Sequence, residues 1–257
     1  MAHIPLPKDF LTRPLAHRGY HDQASHRPEN SGAAFLAAVD AGYGIELDVQ
    51  LSADGEAMVF HDDTLDRLTT AVGPIKALTA ANLGQIVLDG SDQTIPTLAQ
   101  VLGLVAGRAP VLIEIKENLD TMLPGSGRLE AAVARALTGY QGPVAVMSFN
   151  PHCVAEMARL APGTARGITT EDYDPAANVP IPAAVCAALR GIPDYDRTQS
   201  SFISHKATDL GRPRVAELKA QGAAVLCWTI RSAEAGAKAR LIADNITFEG
   251  YAARITA

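Results

Sequence analysis

The chain has 257 residues, 47% of them hydrophobic and 19% charged, which fits one large globular unit with a buried core and excludes a disordered or fibrous chain. Its 22 Lys and Arg against 28 Asp and Glu leave a net charge of −6, so no global positive field draws in nucleic acid or an anionic membrane surface. Any anionic substrate has to be attracted locally.

Cys153, Cys186 and Cys227 are odd in number and far apart, and they lack zinc-finger spacing, which suits reduced thiols. The N-terminal residues 1–9 carry no basic segment followed by an apolar run, and no window approaches the roughly 18 consecutive apolar residues that span a bilayer. The expectation is a cytoplasmic protein without stable membrane insertion. Nothing in the sequence specifies an oligomeric state.

Along the chain, short apolar runs alternate with Ala-rich segments of helical spacing, the signature of parallel α/β architecture. The first run, Leu15-Ala16-His17, leads into His17-Arg18-Gly19 and then a helix over 31–41, with Asn30 and Ser31 as caps and Gly42 as a stop. The second covers 45–51. An extended run over 57–60 then ends in His61-Asp62 and opens an excursion over 64–98, turned by Gly73-Pro74 and Asp89-Gly90. Six more strand runs follow at 111–115, 144–149, 165–169, 202–204, 225–230 and 246–248, with helices over 129–137, 151–160, 215–221 and 233–242 between them. Residues 171–200, rich in Pro and Asp, read as a long loop or loose helix beside the mouth.

Eight strand runs are what a closed (β/α)₈ TIM barrel of about 250 residues requires. Composition alone does not separate that barrel from an open sheet. A dinucleotide-binding sheet, however, carries a Gly-rich turn after its first strand, and His17-Arg18-Gly19-Tyr20 is not one. The reading is a single TIM-barrel domain over 1–257 with a small insertion at about 64–98.

Charge in the strands carries the chemistry. Glu46 and Asp48 stand two apart in Gly44-Ile45-Glu46-Leu47-Asp48-Val49, so both carboxylates share one face of the strand. Glu114 and Lys116 repeat the spacing in Val111-Leu112-Ile113-Glu114-Ile115-Lys116. Such side chains are rarely buried unpaired, because desolvating an uncompensated charge costs several kcal/mol. One divalent cation held by Glu46, Asp48 and Glu114 satisfies all three, and an oxygen-only donor set points to Mg²⁺ or Ca²⁺ rather than Zn²⁺. The bland alternative is a structural ion pair of Glu46 or Glu114 with Lys116. His17 and His61, both at strand ends beside these carboxylates, are candidates for a general acid and base. Arg18 can offer a phosphate a bidentate fork, with Lys116 facing the same anion. The histidines at 3, 21, 26, 152 and 205 are non-catalytic by default, His205 being the one placed to line the mouth.

These pieces, taken in order, resemble the glycerophosphodiester phosphodiesterase family. The matching motifs are His17-Arg18-Gly19, Pro28-Glu29-Asn30-Ser31, Glu46-Leu47-Asp48-Val49, Ser52-Ala53-Asp54-Gly55, His61-Asp62 and Leu65-Asp66-Arg67-Leu68-Thr69. Later matches at Glu114-Ile115-Lys116, Ser148-Phe149 and Trp228-Thr229 extend the resemblance over most of the barrel. It implies His17 and His61 as the acid/base pair, Glu46, Asp48 and Glu114 as metal ligands, and Arg18 and Lys116 as phosphate binders. It adds Glu29 and Asn30 as supports of the metal site. Trp228 becomes an apolar wall for the glycerol or alcohol, where packing in the core is the competing reading. The last strand, Asp244-Asn245-Ile246-Thr247-Phe248-Glu249-Gly250, departs from the family's Gly-Ile-Ile-Thr-Asp type of ending, so the resemblance assigns no site residue there.

The function implied is metal-dependent hydrolysis of a small-molecule glycerophosphodiester to glycerol 3-phosphate and an alcohol. A lysophospholipase D-like or sugar-phosphodiester hydrolase on the same barrel is one alternative, and the 5% aromatic content gives little sign of a membrane-facing ridge for a lipid substrate. A non-catalytic barrel that binds a phosphorylated ligand is the other, and it would be expected to lose a histidine or a carboxylate that this chain keeps.

Overall fold

A computed structural model describes residues 3–255. Eight parallel strands close on themselves: β1 (Leu15–Ala16), β2 (Gly44–Leu51), β4 (Val111–Ile115), β5 (Val144–Ser148), β6 (Ala165–Thr170), β7 (Phe202–Lys206), β8 (Ala224–Ile230) and β9 (Asn245–Phe248). Closure is made by β1, which pairs β9 on one side and β2 on the other. The ninth strand, β3 (Ala57–Val59), runs antiparallel to β2 where β2 extends past the end of β1. The architecture is the TIM barrel that the eight apolar runs predict.

Alternation along each strand separates two environments. Ile45, Leu47 and Val49 of β2, with Ile113 and Ile115 of β4, face outward and pack under helices. These include α2 (Gly32–Asp40), α4 (Leu98–Val105) and α5 (Arg128–Leu137). Opposite residues face the barrel axis. There Leu15, Leu112, Ala145, Ala165, Phe202 and Leu226 fill the lower part, and Phe10 of the short helix α1 (Asp9–Thr12) closes it. Burying Phe10 contributes about 1.5–3 kcal/mol. Gly167 is required in this layer, since a Cβ there would stand 2.5 Å from the Phe202 ring. With the lower barrel plugged by apolar side chains, the axis-facing positions one turn of the pleat higher are where polar groups collect.

The remaining helices are α3 (Ala80–Leu83), α6 (Pro151–Leu160), α7 (Ala183–Leu189), α8 (Pro213–Ala220) and α9 (Ala233–Ala239). Ser31 caps α2 by accepting from the Ala34 N–H at 3.2 Å. Asn30, also expected as a cap, instead points its side chain at Asp48. Helix α4 is absent from the sequence reading. It begins at the end of the 64–98 excursion with a capping box, Thr97 and Gln100 satisfying each other's backbone N–H groups. The excursion packs a cluster of its own, in which Leu65, Ile75, Leu83, Leu88 and Ile95 cover Met58 and Phe60. Residues 171–200 contain the seven-residue helix α7, and its Cys186 and Leu189 pack with Met122, Tyr173 and Ile181. Among the described residues no helix is long and apolar enough to cross a membrane, and all three cysteines are free and buried.

Candidate active site

The upper barrel opens into a cavity of about 430 Å³ lined by His17, Arg18, Glu46, Asp48, His61, Glu114, Lys116, Phe149 and Trp228, with Lys206 and Arg231 at its β7 and β8 side. Eight of the ten residues singled out from the sequence line it. Glu29 and Asn30 do not; each lies one contact behind a lining residue.

Neighbouring strands β2 and β4 pair in register, Asp48 opposite Glu114, which brings the carboxylates of Glu46, Asp48 and Glu114 together. One oxygen from each lies within 4.8 Å of the others, and the three residues are 2%, 2% and 7% exposed. Burial pushes the Glu46 carboxyl well above its usual range, and the charges of Asp48 and Glu114 push the same way. Burial likewise raises Glu114, against the pull of Lys116. Burial acts upward on Asp48 too, but Lys116, His61, Arg18 and the Asn30 amide outweigh it and hold Asp48 down to about 2.

Lys116 Nζ stands 3.4 Å from Glu114 and 3.7 Å from Asp48. Arg18 Nε stands 3.5 Å from Asp48, while its Nη1 donates to Glu29 at 2.7 Å. A structural ion pair thus exists, and among the described residues it leaves Glu46 without a lysine or arginine side chain paired to it. Glu46 accepts the Arg18 backbone N–H at 3.0 Å and faces His17 Nε2 at 4.0 Å. Three carboxylates share two cations, one of which also serves Glu29, so the cluster is short of positive charge. Buried, oxygen-only and under-compensated, it fits a hard divalent ion.

The His17-Arg18-Gly19 turn sets the upper end of β1. Arg18 (φ 56) and Gly19 (φ 83) are both left-handed, and a Cβ at 19 would meet Ala34 Cβ at 2.9 Å, so glycine is required there. Arg18 and Asn30 (φ 56) are held in a conformation costing of order 1–3 kcal/mol each for residues other than glycine, a kind of strain that gathers at functional sites. The turn aims the Arg18 backbone N–H at Glu46. Asn30 in turn donates to Asp48 Oδ2 at 3.0 Å.

Both imidazoles are tied at Nδ1. His17 Nδ1 is 2.6 Å from Glu249 Oε2, and His61 Nδ1 is 2.6 Å from Asp62 Oδ1. Burial lowers the His61 pKa, more than Asp48 raises it. Trp228 donates from Nε1 to the Ser204 carbonyl at 2.9 Å and meets Phe149 edge to face, ring centroids 5.4 Å apart, so the indole is fixed as part of the cavity wall. His205 does not line the mouth. It is fully buried, bonded through Nδ1 to Thr170 and through Nε2 to Asp209, and serves packing.

The sequence reading missed Glu249, Asp62, Phe149, Lys206 and Arg231 as parts of the site. Glu249 directly follows β9, on the strand whose ending departs from the family pattern. Its signal was an acidic residue at a strand's C-terminal end, where this fold places its sites.

The fold and the cavity define a class: a TIM barrel whose mouth holds a carboxylate trio able to bind a metal, beside two carboxylate-paired imidazoles. Residues 17–247 match the glycerophosphoryl diester phosphodiesterase family, and the chain belongs to that family. A glycerophosphodiester phosphodiesterase of Caldanaerobacter subterraneus is 34% identical over 158 residues, 58% of this chain and 62% of that one. Another from Bacillus altitudinis is 34% identical over 63% of this chain and 68% of its own. Among solved structures, an Oleispira antarctica phosphodiesterase in complex with the product sn-glycerol-3-phosphate superposes with a TM-score of 0.74 at 25% identity, covering 93% of both chains. The glycerophosphodiester phosphodiesterase of Thermotoga maritima shares the fold, with a TM-score of 0.69 at 24% identity over 91% of this chain and 92% of that one.

Proposed function

We propose that the chain hydrolyses glycerophosphodiesters to glycerol 3-phosphate and an alcohol, with a divalent cation, Mg²⁺ or Ca²⁺, held by Glu46, Asp48 and Glu114. The observation that carries this reading is the convergence of three buried carboxylates and two imidazoles on one cavity, in a member of this family. The product bound to the Oleispira relative supports glycerol 3-phosphate as one half of the substrate.

In this reading His17 and His61 are the general acid and base. Because a carboxylate occupies Nδ1 of each ring, Nε2 is the nitrogen left for substrate. One ring takes the proton of the nucleophile, either water or the substrate's own vicinal hydroxyl with water then opening the cyclic phosphate, and the other gives a proton to the departing alkoxide. Arg18 and Lys116 bind the phosphate, their cationic heads already directed into the cavity by Glu29, Asp48 and Glu114. The cation, when held, supplies Lewis-acid stabilisation of the charge that grows on phosphoryl oxygen. Trp228 with Phe149 forms the apolar wall against the glycerol or alcohol moiety, and Glu29 and Asn30 support Arg18 and Asp48 from behind.

The barrel and its excursion work as one domain in this reading, in the cytoplasm, on a small molecule and not on nucleic acid. The free, buried cysteines accord with a reducing compartment and the net charge of −6 with a locally attracted anion. The test is release of glycerol 3-phosphate from glycerophosphocholine, glycerophosphoethanolamine and a lysophospholipid. Release from the first two that stops with EDTA and returns with Mg²⁺ or Ca²⁺ is expected. Turnover of the lysophospholipid alone would favour the lipid alternative, and binding without product would favour a non-catalytic barrel.

A further inference from the structure

Arg67 lies in the excursion after β3, outside the cavity, and no role above uses it. Its guanidinium is divided between two carboxylates. Nε donates to Asp62 Oδ2 at 2.6 Å and Nη2 to Asp62 Oδ1 at 3.0 Å, while Nη1 and Nη2 donate to Glu29 Oε2 and Oε1 at 3.0 and 2.8 Å. Each carboxylate also reaches into the site: Asp62 Oδ1 holds His61 Nδ1 at 2.6 Å, and Glu29 Oε1 accepts from Arg18 Nη1 at 2.7 Å. The result is an unbroken series of polar contacts from the His61 imidazole through Asp62, Arg67, Glu29 and Arg18 to Asp48, alternating in charge from Asp62 onward.

We propose that Arg67 is a positioning residue that fixes His61 through Asp62 and Arg18 through Glu29, so that the acid/base imidazole and the phosphate-binding guanidinium keep one spacing. The inference rests on the roles given above to His61 and Arg18. Stability alone does not account for the arrangement. The Arg67 side chain is 48% exposed, and exposed ion pairs add little to folding. What the fork does supply is geometry. A planar guanidinium can satisfy two carboxylates at once along fixed directions, which a lysine ammonium cannot. Without it Asp62 and Glu29 are two facing anions with no shared partner. Asp62, on a short side chain at the edge of solvent, is then free to rotate off Nδ1 of His61. The three residues come from two places, Glu29 from the β1–α2 connection and Asp62 and Arg67 from the segment that leaves β3, so the contact also docks the start of the excursion onto the rim of the cavity.

The test compares Arg67→Ala and Arg67→Lys with wild type, on glycerophosphocholine with Mg²⁺ or Ca²⁺ present, alongside thermal melts. Arg67→Ala is expected to lose about tenfold or more in kcat, the scale on which outer partners of site residues act. KM should rise, but by less than kcat falls, because Glu29 loses Arg67 while it keeps its own bond to Arg18. Tm should fall only slightly, because the Arg67 side chain is half exposed. Arg67→Lys should recover only a minor part of kcat. Millimolar guanidinium should restore Arg67→Ala, since the vacated site is open to solvent, and the loss should shrink when Asp62→Asn is already present. If Arg67→Ala turns over within about twofold of wild type, the inference is overturned. It is equally overturned if the loss ignores guanidinium and persists undiminished beside Asp62→Asn, because Arg67 is then structural. Wild type that fails to hydrolyse any glycerophosphodiester would overturn the proposed function itself, an outcome separate from these.

Discussion

Glu249 Oε2 lies 2.6 Å from His17 Nδ1 although 232 positions separate the two residues, and the pair exists only because β1 and β9 close the barrel side by side. The His17 bond is the largest influence on Glu249 and, against burial, holds its carboxyl at about 2, so it is ionised throughout the working pH range. An ionised partner on Nδ1 fixes the ring's orientation and leaves Nε2 to the cavity. Glu249→Gln keeps the size and loses the charge. It should lower kcat by roughly tenfold to a hundredfold with little change in KM, as for other carboxylate–histidine partners. Steady-state kinetics decide this, and a Glu249→Gln variant with wild-type kcat would remove Glu249 from the site.

The carboxylates impose opposite pH dependences on stability, and the cation should separate them. Asp48, Asp62 and Glu249 sit at about 2 when folded, below their usual values, so they stabilise the fold above their unfolded pKa and that stabilisation drains away as pH falls toward 2. Glu46 and Glu114 are raised, so their effect is fully present below the unfolded value and is lost as pH rises through the folded one. Metal-free protein should therefore melt highest at mildly acidic pH and lower at neutral pH. Saturating Mg²⁺ or Ca²⁺ should raise Tm at neutral pH and have little effect at pH about 4.5, where the glutamates carry protons. Calorimetric melts over pH 4–8, with and without cation, check it.

Asn30 serves both backbone and site. Its left-handed φ of 56 and its bond to Asp48 Oδ2 at 3.0 Å are separable contributions. Asn30→Ala should cost about 1.5–3 kcal/mol, the loss of a charge-assisted hydrogen bond, with the positive-φ strain that asparagine already bears retained. Asn30→Gly should cost less, since glycine takes that φ freely. Denaturant titrations of both variants resolve the two, and equal losses would show that the backbone conformation contributes nothing.

Trp228 offers one face of the cavity wall while its Nε1 is bound to Ser204. Trp228→Ala should raise KM about tenfold, since an aromatic contact is worth about 1–1.5 kcal/mol beside the area it covers, and Trp228→Phe should lose much less. A Trp228→Ala variant with unchanged KM would make the indole a packing residue only.

The barrel was legible because its strands announce themselves twice: by apolar runs and by charge at alternate positions of those runs. Glu46, Asp48, Glu114 and Lys116 stand out because burying them needs a reason, and His17 and His61 because they end strands beside them. What stayed hidden was what sequence proximity does not carry. Glu249 meets His17 only through barrel closure, and Arg67 meets Glu29 only because the excursion folds back over 38 positions. Helix α4 was lost because its cap lies inside the excursion's polar stretch, while α7 reads only as a long loop or loose helix because it spans seven residues between Pro- and Asp-rich turns. His205, non-catalytic by default, could by its position after a strand run have lined the mouth, yet its side chain points to Thr170 and Asp209 instead.

Calorimetric titration of metal-free protein with Ca²⁺ and Mg²⁺ is the most direct measurement, run on wild type, Glu46→Gln, Asp48→Asn, His17→Ala and His61→Ala with turnover recorded for each. One ion per chain is predicted. Its affinity should fall by at least about tenfold in the two carboxylate variants and stay near wild type in the two histidine variants, which should lose about a hundredfold or more in kcat. Equal cation affinity in Glu46→Gln and wild type, or wild-type turnover in both histidine variants, would contradict it.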